Sequence, residues 1–213
     1  MGFNLARLIG EDCFEVTLSS FFQGLVKVDE RYHPNHPDFM VNSLDLHFGL
    51  EAKCGHYGFN IKRYQVEGFE ELDFPIFYIF GHHNLTGIRK STHKMGRKRV
   101  KAFLDKNIIF KDLYLVDARA VHNFFQKEHK VNVKGTQEYC IMKRGHIKSM
   151  VADSQIKRRE NTYSARDYYG LLDSNWRFEK CDLQDTLTFD TFTTIYSSEH
   201  RECVDFLRNQ LKV

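Results

Sequence analysis

The sequence predicts an α/β fold, in which a sheet of largely buried strands carries helices on its faces. Three observations lead there. Residues 1–81 read in the order helix, strands, helix, strand. The run FPIFYIFG (74–81) is continuously apolar and aromatic, as a strand buried on both faces is. A second strand-then-helix pattern, DLYLVDARAVHNFFQKEHK, follows at 112–130.

Each element has its own signal. In FNLARLIG, Leu5, Leu8 and Ile9 fall at helical spacing. FEVTLSSFF alternates Phe14, Val16 and Leu18 with Glu15, Thr17 and Ser19, the pattern of a half-buried strand. PDFMV and HFGLEAKCG read as two short strands separated by the turn-forming Asn42-Ser43. GFNIKRYQVEGFEEL reads as a brief strand and then a helix, with Tyr64, Gly68, Phe69 and Leu72 on its packed face. This α/β core is expected to be complete at about Gly81. Beyond it, Leu113–Val116, TQEYCIMKR and TLTFDTFTTIYS read as strands and ECVDFLRNQLKV as a closing helix. With three prolines and no Ser/Gly-rich linker, the chain divides into a core over 1–81 and an α+β elaboration over 82–213, packed as one continuous unit.

The chain of 213 residues is 42% hydrophobic and 28% charged, which suits a globular protein with a substantial core. No leader-like segment or membrane-length apolar run is present, so the expectation is a cytoplasmic protein with no membrane partner. The five cysteines are read as reduced thiols, and the Asn84-Leu85-Thr86 sequon as chance. The net charge of +3 hides an uneven distribution. Residues 1–81 hold 6 Lys+Arg against 12 Asp+Glu, residues 82–160 hold 19 against 7, and residues 161–213 hold 6 against 9. The densest block, RKSTHKMGRKRVK (89–101), has seven basic residues and no acid. Phosphate backbones are the commonest partner of such a block, which makes Arg89, Lys90, Lys94, Arg97, Lys98, Arg99 and Lys101 candidates for nucleic-acid contact. A solvated helix or loop face is the competing reading.

The chemistry centres on Asp38, Glu51 and Lys53. Asp38 opens an apolar strand, and Glu51 and Lys53 lie two apart on another, so both point to one side of it. An ionised carboxylate desolvated alone costs several kcal/mol, so a compensating charge is expected. Mg²⁺ supplies one naturally, because it takes oxygen ligands and is held by one or two carboxylates together with water and phosphate. Lys53 then offers positive charge where a phosphoryl group gains negative charge. The competing reading makes Asp38 a turn residue after Pro37, and Glu51 with Lys53 a surface pair worth about 0.2–1 kcal/mol.

Pro37-Asp38, twelve intervening residues and Glu51-Ala52-Lys53 together resemble the signature of the PD-(D/E)xK nucleases. That superfamily includes type II restriction enzymes, archaeal Holliday-junction resolvases and RecB-like nucleases. The resemblance runs through FNIKRYQVEGFEEL into PIFYIFG and covers roughly Asn4 to Gly81. It implies a restriction-endonuclease-like core, a mixed central sheet flanked by helices, and an endonuclease that hydrolyses DNA with Mg²⁺, or Mn²⁺ in its place. It also implies that Asp38, Glu51 and the Ala52 carbonyl hold the metal and that Lys53 orients water or stabilises charge. Gln65, with Lys62 or Arg63, would lie near the active site or the DNA backbone. Family habit adds a possible homodimer and no small-molecule cofactor. Where the family commonly has a glutamate on its first helix this chain has Asn4, and Glu11, Asp12 or Glu15 would have to substitute. The alternative is a non-catalytic nucleic-acid-binding protein that keeps the fold; an RNA-directed nuclease is a further variant.

Other residues suggest weaker chemistry. His82, His83 and His93 suggest a zinc site, but extended neighbours point opposite ways, and polar histidines in a phosphate-facing loop fit better. His33 and His36 flank Asp38 on its approach loop. Lys157, Arg158 and Arg159 precede Tyr163, Tyr168 and Tyr169, a mixture suited to phosphate contact and base stacking, or to ordinary burial of the tyrosine rings.

Overall fold

The structure, a computed structural model, describes residues 5–28, 36–43, 45–86, 95–127, 131–150, 176–182 and 189–211. Asn4, His33, Arg89, Lys90, His93, Lys94 and the 157–169 basic and tyrosine patch lie outside the described residues.

The chain opens with α1 (Leu5–Ile9), a π-helical turn (Gly10–Glu15) and α2 (Val16–Phe21). The strand expected over FEVTLSSFF is therefore helical. Phe14, Leu18 and Phe22, four apart, are 1%, 0% and 1% exposed, whereas Val16, which a strand would bury with them, is 62% exposed. The helical stripe buries more apolar surface, at about 1.5–3 kcal/mol per large side chain. The hydroxyls also find partners within the helix: Thr17 Oγ1 donates to the Cys13 carbonyl at 2.8 Å and Ser19 Oγ to that of Glu15 at 3.0 Å.

The strands β1 (Leu25–Lys27), β2 (Phe39–Asn42) and β3 (His47–Gly55) form an antiparallel meander. After His56-Tyr57, β4 (Gly58–Lys62) leads into α3 (Arg63–Glu70), which buries Val66 and Phe69 while Tyr64 stays 42% exposed. Next, β5 (Ile76–His83) returns parallel to β3, buried at all eight positions as the aromatic run predicts. The basic helix α4 (Arg97–Asn107), β6 (Phe110–Asp117) and α5 (Ala118–Lys127) follow. The strands β7 (Asn132–Lys134) and β8 (Gln137–Lys143) come next, and residues 144–150 are helical. After them come β9 (Trp176–Asp182), β10 (Thr191–Ser197), a 3-10 turn (Ser198–His200) and α7 (Arg201–Gln210), the helix at 144–150 being α6.

The described strands make a mixed sheet in the order β1-β2-β3-β5-β6-β10-β9 and a smaller sheet, β4-β8-β7. The expected division at residue 81 falls within β5, and β6, β10 and β9 extend the same sheet on its far side. TQEYCIMKR forms the predicted strand, but in the smaller sheet, where β8 pairs with β4. The large sheet is covered on both faces. One face, through Leu50, Phe77, Ile79 and Leu113, packs on the N-terminal helices, α4 and α7. The other, through Tyr78, Phe80, Tyr114 and Val116, packs on α3, α5 and the smaller sheet. No described helix is long and apolar enough to cross a membrane.

The first face closes to contact distance at Gly81, where a Cβ would lie 2.2 Å from the Phe14 ring. Gly81→Ala is expected to cost about 1–3 kcal/mol by overpacking. Gly10, with open space at its Cβ, is expected to gain about 0.5–1 kcal/mol as alanine. Urea unfolding of the two variants beside wild type measures both.

Candidate active site

Strand register assembles the central group. Phe39 of β2 lies opposite Leu50 of β3, which puts Asp38 beside the segment that carries Glu51. Gly49 allows the approach: a Cβ there would sit 2.4 Å from Pro37 Cγ, so only glycine lets the Pro37-Asp38 turn lie on β3. Asp38 Oδ2 then accepts the Ala52 backbone N–H at 2.7 Å. From α3, Gln65 Nε2 donates to Glu51 Oε1 at 2.7 Å, and Lys53 Nζ donates to the same oxygen. Asp38, Glu51, Lys53 and Gln65 thus form one connected group, with Ala52 in it through its backbone.

The electrostatics follow from burial. Glu51 is 1% exposed. Desolvation pushes its carboxyl up to about 7 and Asp38 adds to the rise, while Lys53 and Gln65 oppose it. Burial works against the Lys53 ammonium, but Glu51 and then Asp38 outweigh it and hold Lys53 above its ordinary value. Lys53 therefore stays charged throughout the range in which Glu51 changes state.

Two buried polar atoms here, Gln65 Oε1 and the Tyr78 hydroxyl, have no hydrogen-bond partner among the described residues. Tyr78 lies directly across from Glu51 in the β3–β5 register and is 1% exposed. Burial first, then Glu51, raises its phenol well above the ordinary tyrosine value, so it remains a protonated donor. Two carboxylates and an unsatisfied amide oxygen are the kind of oxygen groups that could help hold a hard divalent cation. Among the described residues no group of three His, Cys, Asp or Glu side chains forms a metal cluster. Of the acids considered as a third ligand, Asp12 pairs with Arg97 at 3.1 Å and Glu15 with Lys27 at 2.7 Å. Both belong to the helices on the opposite face of the sheet.

The basic candidates divide in the same way. Arg97, Lys98, Arg99 and Lys101 are exposed on α4, whose Val100 and Leu104 pack on the face of the sheet away from Glu51. Lys101 binds Asp105 at 2.9 Å. Lys62 and Arg63 lie on the Glu51 side, next to Gln65. Lys62 Nζ donates to the Tyr64 hydroxyl at 3.1 Å, and Arg63 is held by Glu138 and Glu67.

The histidines are placed by strand, not by a loop. His82 and His83 end β5 and are 8% and 6% exposed. The His82 ring faces Asp112 at 3.6 Å and stacks on His56, whereas burial, then His56 and His82, push His83 down to about 4. His36 packs on Phe74. Sequence reasoning missed Tyr78, Asp112 and Asp117. The last two are 6% and 1% exposed in the apolar strand β6, so the argument from carboxylate cost that singled out Glu51 applies to them equally. Asp112 pairs with Arg144 and accepts from Thr191 Oγ1 at 3.0 Å.

No protein-family model, curated protein or solved structure matches this chain.

A raised carboxyl pKa favours the fold most below its unfolded value, and that contribution is lost as pH rises through about 7. Lys53→Ala removes the cation that offsets this loss. It is expected to cost up to about 3 kcal/mol at pH 8, where Glu51 must either stay charged without its cation or take up a proton, and clearly less at pH 5, where Glu51 is already neutral. Urea unfolding at the two pH values checks the difference; equal costs would contradict it.

Proposed function

We propose that this protein is a metal-dependent nuclease that hydrolyses DNA phosphodiester bonds. One observation carries the reading: Asp38 and Gln65, from separate parts of the chain, meet Glu51 and Lys53 of β3, Gln65 and Lys53 donating to the buried Glu51 carboxylate and Asp38 accepting the Ala52 N–H between them. Asp38 and Glu51, with Gln65 Oε1 or the Ala52 carbonyl, would hold Mg²⁺ or Mn²⁺. When bound, the cation would supply positive charge to a phosphoryl oxygen and acidify a water. Asp38, fixed by the Ala52 N–H, and Glu51, fixed by Gln65, present oxygen at set positions. Lys53 keeps its proton and can donate to the phosphoryl oxygen as negative charge grows there. The Tyr78 hydroxyl provides a second neutral donor beside Glu51. A homodimer that cuts both strands belongs to the same proposal.

A second reading, a nucleic-acid-binding protein without catalysis, is favoured by the ion pair itself, since Lys53 already neutralises Glu51 without any metal.

The deciding experiment is cleavage of supercoiled, linear and single-stranded DNA, and of RNA, with Mg²⁺, Mn²⁺ or EDTA. The nuclease reading expects metal-dependent cutting that Asp38→Ala and Lys53→Ala each reduce at least about 100-fold. Salt-sensitive binding with no cutting under either metal would leave the binding reading in its place.

A further inference from the structure

A second site shares α3 and β5 with the acid group. A cavity of about 320 Å³ opens at the ends of β6 and β10, near the lower limit of small-molecule sites and large enough for one ring-sized ligand. Its apolar walls include Phe69, Ile76 and Tyr78. Its polar lining comprises Glu70, Asp117, Arg119, His122, Glu199 and His200.

The polar groups are built in. Asp117, 1% exposed, accepts the Arg119 backbone N–H at 3.0 Å through Oδ1 and lies 2.6 Å from His200 Nδ1 through Oδ2. In the neutral ring a carboxylate there fixes the proton on Nδ1 and leaves Nε2 as an acceptor, whereas in the charged ring Nε2 is a donor. Arg119 adds a donor, braced by Glu199 at 3.2 Å, and Glu70 lies 2.7 Å from His122 Nδ1.

Charge decides the ligand class. Three carboxylates face one guanidinium, and even with both histidines protonated the lining carries no excess positive charge. A phosphate would be repelled or at best unassisted. An uncharged heterocycle with both donors and acceptors on its edge, stacked against aromatic walls, suits these groups.

Resting on the nuclease reading above, we propose that this cavity receives one unpaired nucleobase of the substrate strand, while the phosphates stay outside with Lys53 and Lys62. Tyr78 links the two sites: it lines the cavity and lies across from Glu51, about 4.8 Å away along the ladder. The substrate is then a strand with a base free of its stack, single-stranded or distorted, since extruding a paired base is costly.

The test is equilibrium binding in EDTA, where nothing is cut. Single-stranded oligonucleotides carrying one 2-aminopurine, or an abasic residue at the same position, are compared by fluorescence anisotropy. Free deoxynucleosides are titrated while the His200 ring resonances are followed by NMR. Loss of the base at one position is expected to weaken binding about tenfold. Ala118→Leu, which fills the cavity, should remove that difference without weakening the abasic strand, and deoxynucleosides should shift the His200 signals. Asp38→Asn should keep the base preference. Equal binding of base-bearing and abasic strands, with His200 unmoved, overturns the proposal. Metal-dependent cutting that persists without base preference sinks the cavity alone; base preference without any cutting sinks the nuclease reading alone.

Discussion

The structure depends on one costly placement, the carboxylate of Glu51 inside the protein at 1% exposure. Left alone, such a group would favour local opening or simply hold a proton. Here two side chains converge to hold it, Lys53 on its own strand and Gln65 from the helix after β4, while Asp38, from the turn before β2, accepts the neighbouring Ala52 N–H and works against its charge. Each depends on backbone geometry that the core enforces. The β2–β3 register sets Asp38, Gly49 admits Pro37 against β3, and Val66 and Phe69 seat α3 so that Gln65 reaches inward. A surface ion pair would need none of this.

The sheet also separates charge. The acid group lies on the face covered by α3 and the smaller sheet, and the basic helix α4 lies on the other face. Surface charges are screened over roughly 8–10 Å at physiological salt, so the field of α4 acts on a large polyanion near the surface rather than on Glu51. Under the nuclease reading α4 would steer or anchor duplex flanks, and positive charge at the acids would come from Lys53 and Lys62. Arg63 is held between Glu67 and Glu138, which ties α3 to β8.

Legibility from the sequence followed the kind of signal. Asp38, Glu51 and Lys53 could be grouped because a carboxylate in an apolar strand is costly wherever the strand ends up, whereas Gln65 came from the motif resemblance alone. β5 could be read because eight apolar or aromatic positions in a row allow little else. The helix expected at Leu5–Ile9 forms, but the segment after it reads as a strand because Phe14 and Leu18 satisfy both period 2 and spacing four, and only the exposure of Val16 separates the two. That β4 and β8 leave the main sheet could not be read, since pairing between residues about 80 apart leaves no local trace. Tyr78 was hidden among aromatics that serve as core, and the pairing of Asp117 with His200 joins positions 83 apart.

The central claim is that the buried acid group is a cation site and not merely a compensated ion pair. Its most direct test is Mn²⁺ binding followed by electron paramagnetic resonance, at pH 8 and pH 6, for wild type and Glu51→Gln. The account predicts a bound-Mn²⁺ population in wild type that weakens at pH 6, where protons compete for a carboxyl held up near 7, and that is lost in Glu51→Gln. Equal Mn²⁺ binding in both proteins, or none in wild type at pH 8, would contradict it.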